Sequence, residues 1–192
     1  GGAIDDALAN ELKDFPNQVW STYGMTETLS HIALRRLNGA DASDWYTPFD
    51  NVRIRLSEEG TLIIHAPNVC AEELITNDIA EINEEGKFRI LGRKDNTINS
   101  GGVKIQIEQV ESHLKKHLDT PFLISARKDA KFGEIVVLIY NKVETEDDIR
   151  RVCESELPTY WVPKAYIAVD ELPMTGTGKP DRASARRIAN GK

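Results

Sequence analysis

Residues 92–102 read Gly-Arg-Lys-Asp-Asn-Thr-Ile-Asn-Ser-Gly-Gly, and the chain changes character across them. Residues 1–95 hold 9 basic and 17 acidic side chains, a net of −8, whereas residues 96–192 hold 15 and 14, a net of +1. A shift of charge in mid-chain is a boundary signal. On the N-terminal side the apolar residues recur with period two. Val52, Ile54 and Leu56 alternate with Arg53 and Arg55, which predicts a strand with one face on a core and one in water. Residues 62–64, 79–82 and 88–91 predict further strands, with Glu58-Glu59-Gly60 and Glu84-Glu85-Gly86 as hairpin turns between them. Residues 31–92 are therefore expected to form a small antiparallel sheet or barrel. Farther out, Ile4, Leu8 and Leu12 predict a short amphipathic helix, and residues 19–23 a strand broken by Gly24.

On the other side the period lengthens. Ile107, Val110, Leu114 and Leu118 share one helix face, while Glu108, Glu111, Lys115 and Lys116 are expected to face water. Residues 122–126, 135–140 and 166–169 predict strands. Thr145-Glu146-Asp147-Asp148 opens a helix with capping-box spacing; Ile149, Val152, Cys153 and Leu157 lie on one side of it, and Pro158 ends it. Residues 181–190 predict a last helix. Helices alternating with strands point to a compact α+β unit.

The composition admits an ordinary globular protein. Of 192 residues, 40% are hydrophobic and 29% charged, with 24 basic against 31 acidic side chains and a net charge of −7. That excludes collagen-like and disordered chains. No apolar run approaches the roughly 20 residues that span a bilayer, and no basic-then-apolar leader opens the chain. Cys70 and Cys153 are too few for a disulfide framework and lack metal-ligand spacing, which suits a reducing cytoplasm. The last stretch is mildly basic, with Lys179, Arg182, Arg186, Arg187 and Lys192 against Asp181. It is too sparse for nucleic acid in an acidic chain but suits a small polyanion. The chain opens on Gly1-Gly2-Ala3 without Met, so its beginning is expected to lie upstream.

Three loops carry chemistry. Tyr23-Gly24-Met25-Thr26-Glu27 follows a strand, where α/β sheets expose binding groups. Tyr23 offers a ring to stack on, Thr26 a hydroxyl for a phosphate oxygen and Glu27 a hard carboxylate for Mg²⁺. Thr76-Asn77-Asp78 and Gly92-Arg93-Lys94-Asp95 offer an Asp suited to accept both ribose hydroxyls and an Arg able to reach ribose or phosphate, or else a solvated salt bridge. Pro173 to Lys179 is Gly-rich and ends in Lys, yet it is no phosphate loop: Pro173 stands where the first Gly should be, and Pro180 follows the Lys. A flexible loop carrying one cation is expected instead.

In order, Tyr-Gly-Met-Thr-Glu, Thr-x-Asp, Gly-Arg-x-Asp, Ser-Gly-Gly and Pro-x-x-x-x-Gly-Lys resemble the adenylate-forming superfamily of acyl-CoA ligases, peptide-synthetase adenylation domains and luciferases. The resemblance implies a two-step reaction: ATP and a carboxylate give an acyl-adenylate and pyrophosphate, and a thiol then displaces AMP. It also implies roles. Gly2-Ala3 and Tyr23 would sandwich adenine, with Gly24 and Met25 in the same nucleotide-binding loop. Thr26 would contact the α-phosphate and Glu27 would hold Mg²⁺. Asp78 would bind the ribose with Arg93 beside it, although Asn77 stands where the family usually has Gly. Asp95 would be a hinge, Ser100, Gly101 and Gly102 would line a pantetheine channel, and Lys179 would neutralise the reacting carboxylate and α-phosphate.

The implied fold is α+β: residues 1–30 as the end of a large α/β nucleotide-binding domain, residues 31–94 as an antiparallel β-barrel subdomain, and residues 95–192 as a mobile lid. The absence of an Arg-Gly-x-Arg pattern after the hinge favours a free acyl-CoA ligase. Residues 26–33 and 99–110 look most like the short bacterial o-succinylbenzoate-CoA ligases of menaquinone synthesis, with His31 near the acyl pocket. The implied partners are a carboxylic acid, ATP with Mg²⁺, coenzyme A and a missing N-terminal part of the same enzyme. No nucleic acid and no membrane anchor are expected, and a homodimer stays open. The family's upstream phosphate loop is not in these residues, so they are expected to be inactive alone.

Overall fold

A computed structural model describes residues 4, 6–143 and 145–191, which fold as two compact units, one running to Lys94 and one starting at Asp95. The first begins with the short helix α1 (Asp6–Glu11). Strands β1 (Trp20–Gly24), β2 (His31–Arg36) and β3 (Thr47–Pro48) then form one antiparallel sheet. Strands β4 (Arg53–Leu56), β5 (Thr61–His65), β6 (Leu74–Ile82) and β7 (Phe88–Arg93) form a second, in sequence order. Gly60 and Gly86, at φ of 81° and 74°, supply the left-handed residues that the β4–β5 and β6–β7 turns require.

The expected barrel is not there. Among the described residues neither sheet closes, because β3 is two residues long and pairs only with β2. A closed barrel needs an unbroken ladder all the way round. Here the two sheets are linked by one bridge, in which Tyr46 N–H donates to Phe88 O at 2.7 Å and Phe88 N–H to Tyr46 O at 3.0 Å. Ile32, Ala33, Leu62, Ile64, Ala66, Ala80 and Phe88 fill the core between them. The period-two reading of β4 also weakens at its end, since Leu56 is exposed. In contrast β5 is buried on both faces from Thr61 to Ile64.

The second unit opens with a hairpin of β8 (Thr97–Ser100) and β9 (Val103–Gln106), then α2 (Ile107–Leu114). It continues through β10 (Phe122–Asp129), β11 (Gly133–Asn141), α3 (Glu146–Glu156), β12 (Ala165–Val169) and α4 (Arg182–Ala189). Strand β11 is the hub: β10 and β8 pair with it antiparallel and β12 parallel. Its run Ile135 to Tyr140 is apolar throughout because helices cover both faces. Val136, Leu138 and Tyr140 pack with Val110 and Leu114 of α2 and Ile149 and Cys153 of α3. Ile135, Val137 and Ile139 pack with Ala185 and Ala189 of α4.

One expectation fails within α2. Glu111 does not face water; it is 7% exposed. Its Oε1 accepts from Arg182 Nη1 at 2.6 Å and from Ile124 N–H at 2.8 Å, and its Oε2 from Arg182 Nη2 at 2.7 Å. The pair ties α2, β10 and α4 together. The Arg182 side chain is pulled down by its burial but held above the ordinary guanidinium value by the hydrogen bond and charge of Glu111.

Candidate functional site

In the first unit three of the expected residues converge. The β1–β2 pairing slips between Tyr23 and Gly24, turning the chain out of the sheet. Gly24 is needed there, since a Cβ would run into the Ser30 carbonyl oxygen. The loop then winds into a 3₁₀ turn, Thr26–Thr28, pinned by the buried Thr28 hydroxyl. Thr28 Oγ1 accepts the Met25 N–H at 3.0 Å and donates to the Ser30 carbonyl at 2.8 Å. This leaves Thr26 and Glu27 exposed at the start of the turn.

Asp78 and Arg93 face each other across β6 and β7, at a register slip between Ile79 and Ala80. Thr76 prepares this edge from within: its buried Oγ1 donates to Leu62 O at 2.8 Å and accepts the Asp78 N–H at 3.1 Å. Asn77 lies inside β6 without a positive φ, so its replacing the family's Gly costs no strained backbone. The Tyr23 hydroxyl donates to Asp78 Oδ2 at 2.6 Å, and Arg93 Nη1 stands 3.5 Å from Asp78 Oδ1. Phe88 meets the Tyr23 ring edge-on at 5.1 Å between centroids, and Tyr46 tilts against it at 5.8 Å.

This packing has an electrostatic consequence. Burial first, then the hydrogen bond and charge of Asp78, push the Tyr23 phenol far above its ordinary value, against smaller opposing effects of Arg93 and Thr76. Tyr23 is thus a fixed neutral donor. A carboxylate has about four lone-pair sites, so Asp78 retains acceptor capacity beyond Tyr23 and Arg93. An aromatic ring, a carboxylate with spare acceptors and a neighbouring guanidinium can together take a planar base, a vicinal diol and a phosphate.

The remaining candidates fall elsewhere. Gly2 and Ala3 lie outside the described residues. His31 opens β2 and lines a shallow cavity of about 110 Å³ with Ile32, Phe49, Val52 and Ala66. In the second unit, Asp95 lies in a 3₁₀ turn, Lys94–Asn96. Ser100 ends β8, paired with Val103, and Gly101 and Gly102, with φ of 56° and 86°, form the turn into β9. A Cβ on Gly101 would press on the Phe132 ring. The loop bearing Lys179 is framed by hydrogen bonds of its own. Thr175 N–H donates to Lys179 O at 2.7 Å, Gly178 N–H to Thr175 O at 2.9 Å, and Lys179 N–H to Thr175 Oγ1 at 3.1 Å. Sequence reasoning missed Tyr46 and Phe88, whose only signal was their aromatic character.

Residues 123–179 match the model of the AMP-binding enzyme C-terminal domain. The 2-succinylbenzoate–CoA ligase of Bacillus cereus is 30% identical over 98% of this chain and 45% of its own length. The chain belongs to the adenylate-forming family. In fold, it resembles o-succinylbenzoate CoA synthetase from Bacillus subtilis in complex with the acyl-adenylate intermediate, with a TM-score of 0.80 at 24% identity over 96% of this chain and 44% of that one. The same enzyme in complex with ATP and magnesium ion gives a TM-score of 0.77 at 23% identity, over 95% and 44%. This member of the adenylate-forming family spans less than half the length of these relatives. Among the described residues, no helix is long and apolar enough to cross a membrane.

Proposed function

We propose that the chain is part of an acid–thiol ligase that activates 2-succinylbenzoate with ATP and passes it to coenzyme A. In the first step a carboxylate oxygen attacks the α-phosphorus, a P–O bond forms, and pyrophosphate leaves. In the second the thiol sulfur attacks the acyl carbonyl, a C–S bond forms, its proton is lost, and AMP leaves. The observation that carries this reading is the Tyr23–Asp78–Arg93 cluster. It sits in a chain aligned almost end to end with proteins named as 2-succinylbenzoate–CoA ligases.

Each residue then has a task. The Tyr23 ring, held by its bond to Asp78, is one wall for adenine. Asp78 accepts from the ribose hydroxyls, and Arg93 balances its charge and reaches ribose or phosphate. Thr26 meets the α-phosphate. Glu27 is exposed and offers the hard oxygen that Mg²⁺ prefers, so the donor fits the ion, which would offset phosphate charge. His31 lines the acid's pocket. Residues 95–192 act as a lid turning about Asp95. One orientation brings Lys179 to the reacting carboxylate and α-phosphate, and the other brings Ser100, Gly101 and Gly102 to the thiol.

ATP–pyrophosphate exchange with a panel of carboxylic acids, run on an enzyme of the relatives' length, tests the proposal. Exchange with 2-succinylbenzoate is expected. Exchange only with other acids would remove that substrate, and nucleotide binding without any exchange would make the protein a binding module. In the same enzyme Lys179→Ala should slow adenylation about 10²-fold or more, the scale of one lost electrostatic stabiliser. Thioester formation from supplied acyl-adenylate should stay near the parent rate. Equal losses in both steps would refute the lysine's role.

A further inference from the structure

His113 and His117 stand four residues apart at the C-terminal end of α2. The N–H groups of His117 and Leu118 both donate to Leu114 O at 2.9 Å, which carries the turn past the last helical residue. Both imidazoles therefore project from one side, as side chains four apart on a helical turn do. Their rings stack with centroids 5.6 Å apart and planes at 29°. Glu156, the last residue of α3, meets them from the neighbouring helix. Its Oε2 lies 3.5 Å from His117 Nε2, while Oε1 accepts from Ser155 Oγ at 3.1 Å. One ligand atom from each of the three residues lies within 4.8 Å of the other two.

We propose that His113, His117 and Glu156 form a site for a divalent transition-metal ion of the zinc class, which clamps the end of α2 to the end of α3. Two imidazole nitrogens and one carboxylate oxygen are ligands that zinc accepts, leaving a fourth position for water. The nitrogens disfavour calcium and magnesium, which take oxygen. Bonds of about 2.0–2.2 Å in a tetrahedron hold ligand atoms roughly 3.5 Å apart. The His117–Glu156 separation already has that value, and since all three ligand atoms lie within 4.8 Å of one another, small rotations of the partly exposed side chains would bring them onto one ion. The frame beneath is rigid, since Val110, Leu114, Ile149 and Cys153 are all 1% exposed or less. A rigid frame holding mobile tips is what a preorganised site needs. A simple ion pair would account for His117 and Glu156, but not for the second imidazole stacked beside them. The cluster uses none of the residues assigned to nucleotide, acid or thiol.

Isothermal titration of zinc chloride into the 192-residue chain tests this, with the His113→Ala, His117→Ala and Glu156→Gln variants alongside. One ion per chain is expected, with affinity about tenfold weaker or worse in each histidine variant, and no competition from magnesium. Thermal unfolding should shift upward with zinc in the parent chain and return on adding EDTA. Circular dichroism of the variants, all altered at partly or fully exposed positions, checks that they are folded. No zinc uptake by the parent would overturn the site. So would uptake unchanged in folded His117→Ala, because the ion would then be held elsewhere, as by Cys70 or His65.

Discussion

Glu111 and Arg182 meet through two hydrogen bonds of 2.6 and 2.7 Å, whereas Asp78 and Arg93 approach only to 3.5 Å. The groups are the same, but the surroundings are not. Arg182 is a quarter exposed and Glu111 a tenth, and the remaining donor of that pocket, Ile124 N–H, is already bonded to the carboxylate. Arg93 is half exposed, and Asp78 shares its carboxylate with a tyrosine. The tight pair leaves no good acceptor for a ligand and joins three elements. The loose pair keeps acceptors and a guanidinium within reach of solvent. Bidentate geometry and complete satisfaction mark the structural pair, and an open edge marks the pair proposed to bind the nucleotide.

The largest expected effect lies in the tight pair. Removing one partner of a buried pair strands the other charge and costs about 3–5 kcal/mol. Glu111→Ala and Arg182→Ala should each lower the unfolding free energy of the second unit, read from urea curves, by that scale. The double variant Glu111→Leu with Arg182→Met should lose less than the sum, since both charges leave together. Additive losses would mean that the pair is not the unit it looks to be.

How much of this was visible in the sequence follows from how local each feature is. Turns at Gly60 and Gly86 and the apolar run of β11 are set by neighbours in the chain, and period and punctuation identified them. The β8–β9 hairpin was not visible, because its strands are four residues each and mix polar with apolar side chains. The helical period puts Glu111 on the wet face of α2, because the residue that buries it is 71 positions away. The absence of a barrel depends on the shortness of β3, a property of pairing and not of pattern. At the candidate site the ordered motifs picked out Tyr23, Asp78 and Arg93, and the fold brings them together. The hydrogen bond between phenol and carboxylate, and the buried Thr76 behind it, arise from contacts between distant strands.

Asp78→Ala should invert the result for Glu111. Loss of hydrogen bonds to a charged group is worth about 1.5–3 kcal/mol, so AMP affinity should fall roughly ten- to hundredfold by calorimetry. The fold should lose less stability than in Glu111→Ala, because Arg93 still reaches water. A variant that unfolds as readily as Glu111→Ala, or binds AMP as the parent does, would erase the distinction between the two pairs.

The smallest effect is the most specific. Tyr23→Phe deletes one hydroxyl and keeps the ring against Phe88, so its cost at neutral pH should be about 1.5 kcal/mol, the low end for a bond to a charged group, because Asp78 keeps Arg93. The pH dependence carries the information. In the unfolded chain the phenol loses its proton near pH 10, but in the fold burial and Asp78 hold the proton on to much higher pH. Above pH 10 the unfolded state therefore binds fewer protons than the folded one, and stability falls as pH rises. Tyr140 and Tyr166 are also raised, chiefly by burial, and add to the same slope. The difference between parent and Tyr23→Phe urea curves isolates Tyr23: it should be flat up to about pH 9 and shrink beyond pH 10. A difference that stays constant through pH 11 would show that burial and Asp78 together do not hold the phenol neutral, and would leave that carboxylate no more committed to Tyr23 than to Arg93.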